Sequence, residues 1–269
     1  MSHQHTYFSE IHATKASQFF GESCDVPDTD EIAELRTRLA AAPKDFDLLT
    51  QLAAKLSFQL RYREALALYE RAVALRPDDV EARRGRAARL LATLQTRRAY
   101  EEYTACRNLK PEAVDIANRV GISAYILGKD AEAAEVLAWC VAQSADEPET
   151  QVAVSYWLAL TELRMGGGTG AWRHFDFAAA IDHHTGYRAG LAVLCGRESA
   201  EETYGTVKQS EDSLNGCIVL YALAIWYKQQ GDSTRYRALL REILAWDDFW
   251  PGFAYLVAWS EWESLTVKN

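Results

Sequence analysis

The sequence predicts an all-α protein, a right-handed superhelical α-solenoid of about six helix–turn–helix repeats closed by a C-terminal capping helix. Two observations favour this fold. Prolines recur every 34 residues, at Pro43, Pro77 and Pro111. Small residues keep the same step, at Ala65, Ala99 and Ala133. A fixed period of this length is typical of one supersecondary unit copied along the chain, with each copy burying its apolar face on the next.

Composition limits the class of protein. The 269-residue chain is 49% hydrophobic, and no apolar run reaches the roughly 18 residues that a membrane span needs. A formal net charge of −9 argues against a general nucleic-acid binder, because such proteins usually carry a basic excess. The opening residues lack the basic start and apolar stretch of a secretion signal. The five cysteines form no C-x-x-C pair, so we expect free thiols, no cofactor and a cytoplasmic protein.

The N-terminal region divides into an arm and the start of the repeats. Residues 1–27 lack apolar periodicity, so we expect a flexible N-terminal arm before a helical repeat domain of residues 28–269. Phe19 and Phe20 are the arm's candidate docking residues. A helix is predicted to begin near Asp28, with Glu31 three residues later as in a capping box.

The segment 46–79 contains the clearest pair of helices. The first helix is marked by apolar residues at spacings of three and four, Leu49, Leu52, Leu56 and Leu60. The second is marked by Ala65, Leu68, Tyr69, Ala72 and Leu75. Pro77 ends it because proline cannot extend a helix, and Asp78 or Asp79 is expected to cap the next helix.

These residues resemble the tetratricopeptide repeat, a helix–turn–helix unit of 34 residues. The first full repeat matches its motif positions with Ala53, Ala65, Tyr69, Ala72 and Pro77. The second, 80–113, matches with Ala87, Ala99, Tyr103, Cys106 and Pro111. The third, 114–147, has Gly121, Ala133, Leu137 and Cys140, with Ala145 in place of the proline. The resemblance implies a solenoid that recognises other proteins.

After residue 147 the match weakens but continues. We predict a helix over 148–164, a glycine-rich turn, and a second helix that carries Ala171, Phe175 and Ala178 at the motif positions. Two further pairs are predicted over 186–196 with 198–209 and over 213–230 with 233–245. A capping helix is predicted from Pro251 to about Ser264.

The resemblance also implies a binding surface, because the first helix of each pair lines the concave side of such arrays. This places Thr50, Ala54 and Phe58 on the groove. We expect a peptide or helix of a partner protein to contact Arg84, Asn118, Arg119, Ile122, Tyr125 and Tyr156.

The best-known version of this repeat grips a C-terminal carboxylate with lysines, an arginine and asparagines. In this chain Thr50 and Ala54 replace the first Lys/Asn pair, and Gly85 and Asp115 stand at two further clamp positions. Only Arg119 agrees with the clamp, so the sequence disfavours this mode of binding.

Two clusters are each open to two interpretations. Residues 80–110 contain eight basic residues against three glutamates, which either attract an acidic peptide, a phosphopeptide or RNA, or form a solvated helix face. We favour the solvated face. All eight tryptophans follow residue 138, and they either form a partner or dimer surface or fill the core. Around the last helix we expect Phe253, Leu256 and Trp259 to face inward, and Tyr255 and Trp262 to lie on another side.

The chemical motifs are weak. Asp182, His183 and His184 spell a string found in a family of metal-dependent phosphoesterases, but here the string ends a predicted helix. The glycines 166–168 lack the Lys-Ser/Thr of a phosphate loop. We therefore predict a non-catalytic adaptor or scaffold. The alternatives are a peptide-sensing regulatory protein that acts through another protein, and a metal-dependent hydrolase using Asp182, His183 and His184.

Overall fold

The structure, a computed structural model, describes residues 14–23 and 26–266. This part of the chain contains fourteen α-helices and no strand. In chain order they are α1 (Lys15–Phe20), α2 (Asp30–Ala41), α3 (Phe46–Phe58), α4 (Tyr62–Leu75), α5 (Val80–Ala92), α6 (Thr96–Leu109), α7 (Val114–Ile126), α8 (Asp130–Gln143), α9 (Pro148–Met165), α10 (Thr185–Leu194), α11 (Ala200–Gln209), α12 (Ser213–Gln229), α13 (Ser233–Ala245) and α14 (Phe253–Thr266). The predicted all-α class built from helix–turn–helix pairs is confirmed. Of these helices, none combines the length and apolar character that crossing a membrane requires. The described residues form two compact units, which divide between Arg119 and Val120.

The 34-residue period appears directly in the backbone. The turns inside three successive pairs have a residue in the left-handed conformation at Leu60, Leu94 and Gly128, with φ of 57°, 62° and 72°. The residue after each turn position donates a backbone hydrogen bond to the preceding helix, as Arg61 N does to Leu56 O at 3.0 Å. Leu60 therefore belongs to a turn and not to the helix that the sequence predicts.

Helix starts in the N-terminal unit follow the capping rules. The carboxylates of Asp45 and Asp79 accept hydrogen bonds from Leu48 N at 3.0 Å and Ala82 N at 2.8 Å. The prediction that Asp28 starts the first helix is wrong by one residue, because the Thr29 hydroxyl caps α2 instead. The Asp28 carboxylate pairs with Arg36 at 2.7 Å and Arg61 at 2.6 Å.

Close packing of α3, α4 and α5 builds the core of the N-terminal unit. The motif alanines Ala53, Ala65 and Ala72 are fully buried, so the helices can approach closely. Tyr69 of α4 lies against α5 at Gly85, where a Cβ atom would be 2.5 Å from the tyrosine ring. The glycine thus makes room for the aromatic side chain that the repeat pattern requires.

Part of the predicted arm is helical. Arg63 at the start of α4 donates to the carbonyl oxygens of Gln18 at 2.7 Å and Phe19 at 2.8 Å, near the end of α1. Gln18 Oε1 accepts from Arg63 N at 3.1 Å, and Phe19 is buried. Residues 1–13 of the arm lie outside the described residues, and the boundary at residue 28 stays a prediction.

The C-terminal unit departs from the repeat after α9. The predicted second helix with Ala171, Phe175 and Ala178 is wrong, because residues 171–174 form one short 3₁₀ turn and residues 175–184 are irregular. The buried Glu162 carboxylate explains the change. It accepts hydrogen bonds from Thr169 N at 2.7 Å, Gly170 N at 2.9 Å and Trp172 Nε1 at 2.8 Å. These bonds fold the glycine-rich segment back onto α9 and bury Trp172 where a helix would begin.

Helix α12 is the centre of the C-terminal unit. It packs against α9, α10, α11, α13 and α14. Eleven of its residues are buried, on every side of the helix. A helix that is apolar all round belongs in a core and not on a surface. The C-terminal unit is therefore arranged around one internal helix.

Three of the eight tryptophans are buried in this unit. Trp157, Trp172 and Trp250 are buried, while Trp246, Trp259 and Trp262 are half-buried. Leu256 is buried as predicted. The prediction for Tyr255 is wrong, since its ring is fully buried and its hydroxyl donates to Leu244 O at 3.2 Å.

Candidate functional site

The N-terminal unit has a groove between α3 and α5, which we call the α3–α5 groove. Its volume is about 550 Å³. Helix α3 contributes Phe46, Thr50, Gln51 and Ala54, and α5 contributes Glu81, Arg84, Gly85, Ala88 and Arg89. Tyr69 and Arg119 also line it. The lining thus combines small, aromatic, polar and charged side chains.

A second hollow of about 330 Å³ adjoins this groove. It shares Ala54, Tyr69 and Arg89 with the first hollow. Its remaining lining is mostly apolar, from Ser57, Phe58, Leu60 and Tyr62. We call this the aromatic end of the groove. The two hollows together form one surface with a charged end and an aromatic end.

Ion pairs organise the charged end. Arg84 pairs with Glu81 at 2.7 Å and with Asp115 at 3.3 Å. Arg119 pairs with the same Asp115 at 3.5 Å and donates to its backbone oxygen at 2.7 Å. Burial alone would lower the pKa of Arg84, but its hydrogen bond to Glu81 and the nearby carboxylates raise it above its ordinary value. Both arginines are thus held in place by carboxylates of the N-terminal unit.

Arg89 is different. Its guanidinium lies over the Tyr62 ring, with the central carbon 5.2 Å from the ring centre. Its Nε atom is buried and has no hydrogen-bond acceptor. Among the described residues it has no carboxylate partner, whereas Arg84 and Arg119 do. It lines both hollows, so this cation lies where the two ends meet.

The structure brings only part of the predicted contact set together. Arg84 and Arg119 line the α3–α5 groove. Asn118 is half-buried beside Arg119 along α7 and is not part of the groove lining. Its Oδ1 is buried and accepts no hydrogen bond.

The other three predicted contact residues need correction. Ile122, Tyr125 and Tyr156 are fully buried in the C-terminal unit. The Tyr125 hydroxyl is 2.9 Å from the hydroxyl of Tyr221, and the Tyr156 hydroxyl donates to Ile218 O at 2.7 Å. Tyr221 and Ile218 are both on α12. The chain's own helix therefore covers the positions that would face a partner in a regular repeat.

A buried polar network fixes α12 there. The Tyr221 hydroxyl donates to Glu261 at 3.0 Å, so it accepts the hydrogen bond from Tyr125. Tyr236 also donates to Glu261. Arg164 stacks on the Tyr125 ring at 3.5 Å and donates to its backbone oxygen at 2.6 Å. Burial raises the pKa of Tyr221 well above its ordinary value, so its hydroxyl stays protonated.

At least four of the eight basic residues of 80–110 pair with carboxylates inside the unit, namely Arg83, Arg84, Arg86 and Arg98. Arg83 and Arg86 both bind the buried Glu102 carboxylate. Arg98 pairs with Glu70 at 2.8 Å. Because their charges are matched by nearby carboxylates, these side chains support the interpretation as an ordinary helix surface rather than a field for acidic ligands.

The Asp182-His183-His184 string forms a turn around Glu149. The backbone amides of His183 and His184 each donate to the Glu149 carboxylate at 3.0 Å, and that of Asp182 joins them. His184 Nδ1 is 2.7 Å from Glu149 O. Burial raises the pKa of Glu149, but the three amides outweigh it and lower the pKa below its ordinary value. Over residues 14–23 and 26–266, no group of three His, Cys, Asp or Glu side chains could hold a metal ion.

The thiols of the repeat positions are packed, as expected. Cys106 and Cys140 are both fully buried. Burial raises the pKa of Cys106 to about 11. A thiol that is neutral at physiological pH is a poor nucleophile.

Arg89, Gln51 and Tyr62 line the two hollows but were not predicted from the sequence. For Arg89 the sequence did contain a signal, because Gly85 and Arg89 are four residues apart and so share one face of α5. The family's groove positions include Arg84 and Ala88 but not Arg89, which hid this residue among the other arginines of the segment.

Comparison with known proteins gives structural similarity only. No family model matches the chain, and no curated protein matches it. Solved structures similar to it include YrrB, described as a TPR protein with an unusual peptide-binding site, at 12% identity over 85% of this chain and 97% of that one, with a TM-score of 0.44. PilF of Pseudomonas aeruginosa is 17% identical over 89% and 100%, with a TM-score of 0.48. PilW, a type IV pilus biogenesis factor, is 16% identical over 76% and 94%, also with 0.48. These similarities are too distant to transfer a function.

Proposed function

We propose that this protein is a non-catalytic interaction module that binds an extended peptide, or a helix of a partner protein, in the α3–α5 groove. One observation carries the proposal: a groove of about 550 Å³ is lined by Ala54, Ala88 and Tyr69 together with three arginines. Peptide-binding grooves commonly combine an apolar floor with a few polar anchors that fix orientation.

The rigidity of the groove supports the same function. Its walls are helices whose packing is fixed by fully buried alanines and by the contact between Tyr69 and Gly85. Arg84 and Arg119 are held by ion pairs on the groove side. A surface that is already ordered loses little entropy on binding, so modest contacts suffice for a useful affinity.

The C-terminal unit has a different role in this proposal. Tyr125 and Tyr156 occupy groove positions of the repeat pattern, but α12 covers them. A partner would have to displace a helix with eleven buried residues to reach them. We therefore assign recognition to the N-terminal unit, and we keep the adaptor role, the cytoplasmic location and a dimer through the Trp-rich C-terminal region as proposals.

Filling the groove tests the proposal. Ala88→Trp places an indole in the groove, while Ala74→Trp places one on an exposed face of α4 in the same unit. We expect a peptide library to be retained by the wild type and by Ala74→Trp, and to be lost with Ala88→Trp. Circular dichroism would verify that both variants are helical. Equal retention by Ala88→Trp would contradict binding in this groove.

A further inference from the structure

The charged groups of the α3–α5 groove indicate which peptides it accepts. Three arginines line the groove. Arg84 and Arg119 share Asp115, and Arg84 also binds Glu81. A ligand carboxylate at either position would have to compete with a carboxylate that is already in place. Among the described residues, Arg89 pairs with no carboxylate, and its guanidinium donates no hydrogen bond to any of them.

The environment of Arg89 favours an anion that carries several acceptors. The side chain is half-buried, and its Nε is buried without an acceptor. Because Nε is buried, the donors available to a ligand are the terminal nitrogens of the guanidinium, and a hydrogen bond from them to a charged acceptor is stronger than one to a neutral group. The planar guanidinium matches a carboxylate in geometry. The central carbon of the guanidinium is 5.2 Å from the centre of the Tyr62 ring, within the range of a cation–π contact.

The aromatic end specifies what must lie beside that anion. Arg89 shares this hollow with Phe58, Leu60 and Tyr62. Phe58 is 60% exposed, although most large apolar side chains of the unit are buried. An apolar ligand side chain placed there would cover this surface. A peptide that fits this hollow therefore needs an acidic residue and an apolar residue at neighbouring positions.

We infer that the groove selects peptides with an internal Asp or Glu next to a large apolar residue. Arg89 binds the side-chain carboxylate, and the apolar residue packs at the aromatic end against Phe58 and Tyr62. This inference rests on the proposed function, because it specifies the ligand of the same groove. It differs from recognition of a chain terminus, since the sequence does not match the clamp for a C-terminal carboxylate.

The test uses a positional-scanning library of acetylated and amidated nonapeptides, so that no chain terminus carries a charge. The library is bound to the wild type, to Arg89→Met, to Arg89→Glu and to the control Arg98→Met. Methionine keeps much of the apolar stem of the arginine side chain and removes its charge. Arg98 pairs with Glu70 outside the groove lining, so its variant controls for the loss of one positive charge in the same unit.

We expect the wild type and Arg98→Met to retain peptides enriched in Asp or Glu beside Phe, Leu or Ile. Arg89→Met should bind the best acidic peptide at least about tenfold more weakly, while it binds the Gln version of that peptide unchanged. Arg89→Glu should invert the preference toward Lys or Arg. Wild-type selection without acidic enrichment, or acidic enrichment that persists in Arg89→Met, would overturn the inference while leaving peptide binding in place.

Two other results of the same experiment would have different meanings. If the wild type retains no more peptide than Ala88→Trp does, the proposed function itself fails. If the amidated library is not retained but the same peptides with a free carboxyl terminus are retained, the groove recognises the C-terminal carboxylate of a peptide. In that case the assignment of Arg89 to a side-chain carboxylate is wrong.

Discussion

Glu162 offers a direct test of why the fourth repeat loses its second helix. The carboxylate is 3% exposed. Oε1 accepts from Thr169 N at 2.7 Å and from Thr169 Oγ1 at 2.8 Å. Oε2 accepts from Gly170 N at 2.9 Å and from Trp172 Nε1 at 2.8 Å. All four donors come from the segment that would otherwise continue as a helical repeat.

Replacing Glu162 by glutamine removes half of these acceptors. The amide keeps one oxygen, and its NH₂ group then faces two N–H or O–H donors in a buried site. Two hydrogen bonds to a charged group are lost, at about 1.5–3 kcal/mol each, so we expect a loss of about 3–6 kcal/mol in the free energy of unfolding. The exposed Glu135 on α8 is the matched control, and its replacement by glutamine should change stability by less than about 0.5 kcal/mol.

Urea-induced unfolding followed by circular dichroism would measure both variants. A shift of the midpoint at unchanged slope reports the change in stability. If Glu162→Gln and Glu135→Gln unfold at the same urea concentration, the carboxylate does not anchor the glycine-rich segment. The irregular structure of residues 175–184 would then need another cause.

Two further predictions concern polar contacts of the C-terminal unit. The hydrogen bonds that lower the pKa of Glu149 favour its ionised form, so they stabilise the fold above about pH 4.5, the ordinary pKa of a glutamate. This stabilisation is lost as the pH falls below that value and the carboxylate becomes protonated. The difference in melting temperature between the wild type and Glu149→Gln should therefore be largest near neutral pH and shrink toward pH 3 or so, and a difference that grows on acidification would contradict the assignment. Tyr221→Phe should cost about 1–3 kcal/mol, because it leaves the buried Tyr125 hydroxyl without its acceptor. Tyr204→Phe, whose partner Glu242 is half-buried, should cost less in the same urea titration, and equal losses would mean that the network does not hold α12.

Local features of the fold were predictable because local sequence determines them. The prolines and alanines that recur every 34 residues fix where helices end and approach each other. The turns at Leu60, Leu94 and Gly128 follow the same period. Asp79 caps its helix because a short acidic side chain at that place can accept the amide three residues later.

The features that escaped prediction depend on distant partners. Tyr125 fits the groove pattern, yet it meets Tyr221, which is 96 residues away in sequence. The apolar residues of α12 did not indicate which surface they would cover. The burial of Glu162 determines the path of the next ten residues, but a single glutamate in a helix carries no such signal. Arg89 could not be singled out from the sequence, because the folded structure determines which of the neighbouring arginines form ion pairs with carboxylates.

Hydrogen–deuterium exchange of the wild type with and without one retained peptide tests the central claim most directly. We predict slower exchange of the amides in residues 46–58 and 80–92 when peptide is bound, and no change in residues 213–229. Protection confined to the C-terminal unit, or equal exchange in α3 and α5 under saturating peptide, would contradict recognition by the α3–α5 groove.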